Sequence, residues 1–195
     1  MNWHATIGIL AGVVQVASVI PYVRDMLKGR TRPNMVTWLL WTILQIIVIF
    51  AQFSAGASWS VIILIVMTFN TVLVTILCLK GYGYKKYGIL DYSCFFLALV
   101  TIVVWRITED PILAIILAVA IDFLAMIPTI VKAYRDPHSE APFPWFLNVV
   151  AGALAALSTT KIDVANLIFP IYYIITDGFV VILILRGRRA LLESK

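Results

Sequence analysis

Histidine and cysteine are almost missing from this chain, with two of each in 195 residues. His4 and His138 stand far apart, and no clustered thiol or carboxylate accompanies them, so neither a metal centre nor a metal cofactor is expected. Cys78 and Cys94 are too few for a disulfide framework and are expected to stay reduced. Charge is scarce as well: Asp, Glu, Lys and Arg make up 13 %, about half the share of an ordinary soluble domain. Long polar segments are absent, and the stretches between apolar runs are a few residues long, which argues against a soluble domain. The first apolar run lacks a basic lead-in and a small-residue cleavage pattern, so it is expected to persist as a mature helix. An enzyme would need a nucleophile–base pair or clustered ligands, and neither is evident.

What the chain has instead is apolar sequence, 62 % hydrophobic residues with a mean hydropathy of +0.99. A bilayer core about 30 Å thick is crossed by roughly 20 apolar residues in a helix, and a helix satisfies its own backbone in lipid. Seven such runs can be read, at 6–23, 36–55, 58–79, 88–105, 111–131, 143–159 and 164–185. The fold class expected is an all-α, multi-pass protein embedded in a lipid bilayer. Thirteen of the fifteen basic residues fall at one end of these runs, and only Arg106 and Lys161 at the other. By the positive-inside rule the amino terminus then faces outside or a lumen, and the carboxyl terminus the cytoplasm. These cations are spread over short segments beside lipid, so the net charge of +5 reads as topology and not as a nucleic-acid surface. A retinal-type protein is excluded because the last run has no lysine deeper than Lys161 at its mouth.

The chain also repeats itself. Pro21 and Trp38 are 17 residues apart, as are Pro128 and Trp145, and the two pairs are offset by 107. Residues 1–82 and 108–195 are therefore expected to be two parallel three-helix repeats, joined by an inverting fourth helix within 83–107. On this offset Gln15 falls on Asp122 and Asn70 on Asp177. Gln15, Asn70, Asp122 and Asp177 each lie nine or ten residues before a basic anchor (Arg24, Lys80, Lys132 and Arg186). That is about 14–15 Å at helical rise, the depth of the bilayer midplane.

An amide at that depth often serves only as interhelical glue worth about 1 kcal/mol, whereas a carboxylate costs about 2.5–3.5 kcal/mol to insert and points to function. These four are the expected binding set for a small solute, with Gln45 and Asn148 as further liners. Tyr172 and Tyr173 come shortly before Asp177, and only one of two adjacent residues is expected to face the site. Two neighbouring carboxylates in a low-dielectric cavity cannot both ionise cheaply. Asp122 and Asp177 are thus the expected proton-coupling pair, with protons the only coupling species considered and no other cofactor. Pro21 and Pro128, six residues beyond Gln15 and Asp122, each remove a backbone donor and read as hinges of an inner gate. Trp38 and Trp145 are expected in the interfacial belt, and Gly8 and Gly12 form a helix-packing pair.

Helix count, orientation, the prolines near the inner ends of helices 1 and 5, the basic loops after them and the tryptophans beyond together resemble the PQ-loop superfamily. That superfamily includes the SWEET sugar facilitators and the lysosomal cystine and cationic amino-acid exporters, and the likeness covers nearly the whole chain. Two features depart from it: the namesake Pro-Gln pair reads Pro21-Tyr22 and Pro128-Thr129, and helix 2 has no proline while Pro142 and Pro144 only open helix 6. The resemblance implies alternating access around a midplane site. In SWEET proteins an asparagine on helix 3 and another on helix 7 hold the sugar; Asn70 matches the first by position, and Asp177 stands in place of the second. The expected function is transport of an amino-acid-like or cationic small molecule, coupled to protons through the two aspartates. An uncoupled sugar facilitator and a non-transporting ligand or cargo receptor are the competing readings. One chain would hold both halves of a site, so a monomer suffices, and a homo-oligomer is left open.

Overall fold

The computed structural model describes residues 2–29, 33, 35–83, 88–135, 137 and 142–193. For positions 37, 90, 91, 94, 98, 101, 102, 105, 106, 128, 129, 131, 132 and 191–193 it describes the backbone alone. His138, Arg30, Arg32, Lys85, Lys86 and Lys195 lie outside the described residues, as do the side chains of Pro128 and Cys94.

The described chain is all-helical, without a strand. Its helices are α1 (Trp3–Leu27), α2 (Met35–Ser54), α3 (Val61–Leu77), α4 (Ile89–Thr108), α5 (Pro111–Arg135), α6 (Pro142–Ser158) and α7 (Val164–Glu193). A π-helical turn, Cys78–Tyr82, carries α3 onward to Gly81, whose φ of 100° ends it. Short polar side chains set several of the starts, by accepting from amides that the first turn leaves unpaired. Asn2 accepts from the His4 amide. Asp110 accepts from those of Ile112 and Leu113 at 2.8 and 3.2 Å, and Asp163 from that of Asn166 at 2.9 Å. The end of α2 is closed by Gly56, at φ 84°, whose amide bonds back to the Phe53 carbonyl; a left-handed residue there favours glycine.

Among the described residues, three helices are long and apolar enough to cross a membrane by length and composition: Trp3–Leu27, Val61–Tyr82 and Val164–Ala190. Shorter apolar helices run over Trp38–Ser54, Pro111–Ile127 and Pro142–Ser158. α1 is one helix through Pro21, and α7 one helix through Pro170.

Packing follows a simple order. α3 lies between α1 and α2, and α7 lies between α5 and α6; α1 meets α6, α2 meets α5, and α4 packs on α5 and α2. Gly8 and Gly12 bring α1 onto α3: a Cβ on Gly8 would stand 2.9 Å from the Trp59 carbonyl oxygen, and one on Gly12 3.1 Å from Ile62. Gly152 does the same for α6 against the Pro170 carbonyl of α7.

The main apolar core draws on six helices, with Leu44, Val48, Leu64, Ile115, Ala151 and Phe169 among its members. Two smaller cores sit apart from it. One holds Met26, Val74 and Cys78 from the α1–α3 side, and the other Met126, Ala133, Val180 and Ile184 from α5 and α7. Trp38 and Trp145 are half-buried and pack against these cores. Trp38 packs on Tyr22 and Trp41 with ring centroids 5.1 and 5.3 Å apart, and Trp145 packs against the second core.

Candidate functional site: a buried polar layer

Polar side chains cannot sit inside apolar helices without partners, and here most of them have found one another. Gln15, Asn70, Asp122 and Asp177 are all buried, at 4, 5, 7 and 3 % exposure, and none of them looks outward. They fall into two groups.

The first group holds the carboxylates. Tyr172 of α7 donates its hydroxyl to Asp122 Oδ2 of α5 at 2.5 Å. Asp177, also on α7, lies beside the Asn148 amide of α6, which serves it as a hydrogen-bond donor. Tyr173 meets the Gln45 side chain of α2 and lies within electrostatic reach of both aspartates. Gln45 Oε1 in turn accepts from the Thr71 hydroxyl of α3 at 3.1 Å. Five helices thus deliver polar atoms to one buried level.

The second group is the amide pair. Asn70 of α3 donates to the Gln15 backbone carbonyl of α1 at 3.2 Å. Gln15 Nε2 reaches Ser18 Oγ at 3.4 Å, while that hydroxyl donates to the Gln15 carbonyl at 2.8 Å. The two groups are tied to one level through α3, because Asn70 and Thr71 are adjacent and face one group each.

The six residues expected from the sequence, Gln15, Gln45, Asn70, Asp122, Asn148 and Asp177, all contribute polar atoms to these two groups. Only one of Tyr172 and Tyr173 was expected to face inward, and that expectation is corrected. Both rings are buried, each on a different partner, because α7 is clasped between α5 and α6 and adjacent residues straddle the facing side. Thr71 went unnoticed, since a threonine inside an apolar helix commonly bonds its own backbone, and this one also does so, to Thr68 at 3.0 Å.

A second polar web lies at the end of the bundle that carries Lys161. The Ser58 amide donates to Asn166 Oδ1 at 2.8 Å, and the Thr160 amide to Ser58 Oγ at 2.7 Å. Gln52 Nε2 donates to the Ala165 carbonyl at 2.6 Å, and Asn166 Nδ2 to Asp163 at 2.8 Å. The segment between α2 and α3 is thereby tied to the one between α6 and α7. Nothing in the local sequence signals this web, which exists only through long-range pairing.

Among the described residues no group of three or more His, Cys, Asp or Glu side chains is placed to hold a metal ion. No protein-family model matches this chain, and neither a curated protein nor a solved structure matches it.

Proposed function

We propose that this chain is a small-solute membrane transporter that works by alternating access around the buried polar layer. The observation that carries the reading is the convergence of two aspartates, two tyrosines and two amides from α2, α5, α6 and α7 at one level inside apolar helices. Polar groups are expensive in such a setting and commonly mark a solute or ion pathway.

The packing order supports the proposed repeat of three helices, a linker and three helices. Exchanging α1 with α5, α2 with α6 and α3 with α7 turns α1–α3 contact into α5–α7, α2–α3 into α6–α7, and α1–α6 into α5–α2, and each of these contacts is present. In this reading α4 is the inverting linker, and the web at Ser58 and Asn166 holds the outer end shut. Asp122 and Asp177 carry the coupling proton, and Pro21 and Pro128 flex the inner half. The solute class is amino-acid-like or cationic. The PQ-loop superfamily, SWEET proteins among them, remains the proposed kinship.

A sugar facilitator is the second reading, favoured by the Gln15–Asn70 pair, whose amide oxygens suit hydroxyl donors. Uptake into proteoliposomes with an imposed pH gradient separates the two. Coupled transport should collapse with the gradient and fall at least about tenfold in Asp177→Asn. Gradient-independent uptake that survives this substitution would favour the facilitator, and binding without any uptake would favour a receptor.

A further inference from the structure

The layer has a surplus of one kind of polar atom. Gln15 Oε1, Asn70 Oδ1 and Asn148 Oδ1 are all buried without a hydrogen-bond partner. Their identity as oxygens is fixed by what each amide nitrogen does. Asn70 Nδ2 faces a backbone carbonyl. Gln15 Nε2 faces a hydroxyl whose own proton is already given to a carbonyl. The Asn148 nitrogen faces a carboxylate. In each case the nitrogen must be the donor, so the free end must be an acceptor. To these add the carboxylates of Asp122 and Asp177.

Donors are nearly exhausted. The hydroxyls of Tyr172 and Thr71 are engaged on Asp122 and on Gln45 or Thr68, that of Thr176 on the Tyr172 carbonyl or Asp177, and Tyr173 shares a hydrogen bond with the Gln45 side chain. Trp41 Nε1 and the Thr75 hydroxyl are buried donors left without a partner. Among the described residues, no cationic side chain bonds either acid. The basic residues nearest in sequence to Gln15, Asn70, Asp122 and Asp177 are Arg24, Lys80, Lys132 and Arg186, nine or ten positions away, roughly 14–15 Å along a helix.

Resting on the reading of this layer as a solute site, we infer that the solute is a protonated organic amine with N–H donors and no carboxylate. A buried acceptor left unmade is costly, and an ammonium offers up to three donors to carboxylates and amide oxygens at once. A zwitterionic amino acid would bring a further carboxylate to a place whose spare donors are outnumbered by its acceptors. It would be desolvated unpaired beside like charge. The amine end of such a molecule fits; its acid end does not.

The test compares ethylammonium and 1,4-diaminobutane with alanine, tetramethylammonium, glucose and sodium chloride on the purified full-length protein in detergent. Thermal unfolding is followed for binding, and proteoliposome uptake for flux. Either amine is expected to raise Tm by a few degrees near saturation. Each should bind about tenfold or more tighter than alanine, a difference a charge-assisted contact can supply. Tetramethylammonium, which has charge but no N–H, should give no shift. The amine shift should be lost in Asp177→Asn and weakened in Gln15→Met, two isosteric changes whose ligand-free melts report folding independently.

Alanine binding as tightly as ethylammonium, a shift from glucose or sodium alone, or no shift from either amine would overturn the inference. Uptake of alanine or glucose would in that event leave the transporter reading standing. Amine binding without uptake would uphold the inference and sink the transporter reading.

Discussion

The Tyr172 hydroxyl joins α7 to Asp122 of α5 at 2.5 Å, and the worth of this bond can be isolated. Tyr172→Phe removes the donor while keeping the ring, leaving Asp122 with one acceptor unmade at a buried position. A loss of about 1–3 kcal/mol is expected in unfolding experiments. In a double-mutant cycle with Asp122→Leu, the pair should couple by about 1 kcal/mol or more. Additive losses would mean that the bond contributes nothing beyond its neighbours. At this scale much was legible beforehand: polar residues stand out against an apolar background because each one needs a reason to be there. Gln45 and Asn148 could be named as liners, but not their partners. Sequence carries no record of which side of α2 meets α7, and so gave no hint that Gln45 bridges Thr71 and Tyr173.

At the scale of elements, close backbone approach is the feature to test. A side chain on Gly8 runs into the Trp59 backbone, and backbone cannot swing aside. Gly8→Val should therefore cost about 1–3 kcal/mol. Gly178 offers the contrast: its Cβ would meet Val149 at 3.8 Å, an ordinary contact. Gly178→Ala should be neutral or stabilising by up to about 1 kcal/mol, since alanine is the better helix former. Equal losses at both positions would mean that α1–α3 contact is not limited by its glycines. The expected helix boundaries fell close to those observed, with instructive exceptions. α7 was expected to stop at 185 but continues to Glu193, because backbone bonding does not end where hydropathy does. α3 was expected from 58 but opens at Val61, since Ser58 gives both its amide and its hydroxyl oxygen to the cross-bundle web.

For the whole molecule, the web at Gln52, Ser58 and Asn166 joins two distant segments of the chain. Asn166 is fully buried and bonded on both sides of its amide, so Asn166→Ala removes two partners at once. Hydrogen–deuterium exchange across 55–60 and 159–166 should speed up about tenfold, as expected for ~1.4 kcal/mol of lost local protection. Unchanged exchange would assign the joining of those segments to apolar packing alone. The neighbouring tyrosines of α7 are held by two different helices, Asp122 of α5 for one and Gln45 of α2 for the other. Turning this helix about its own axis would tear both grips loose together, whereas leaning it with its flanking helices preserves them. Any large motion of this half should accordingly be a tilt of the assembled unit, with α7 keyed against spinning in its seat.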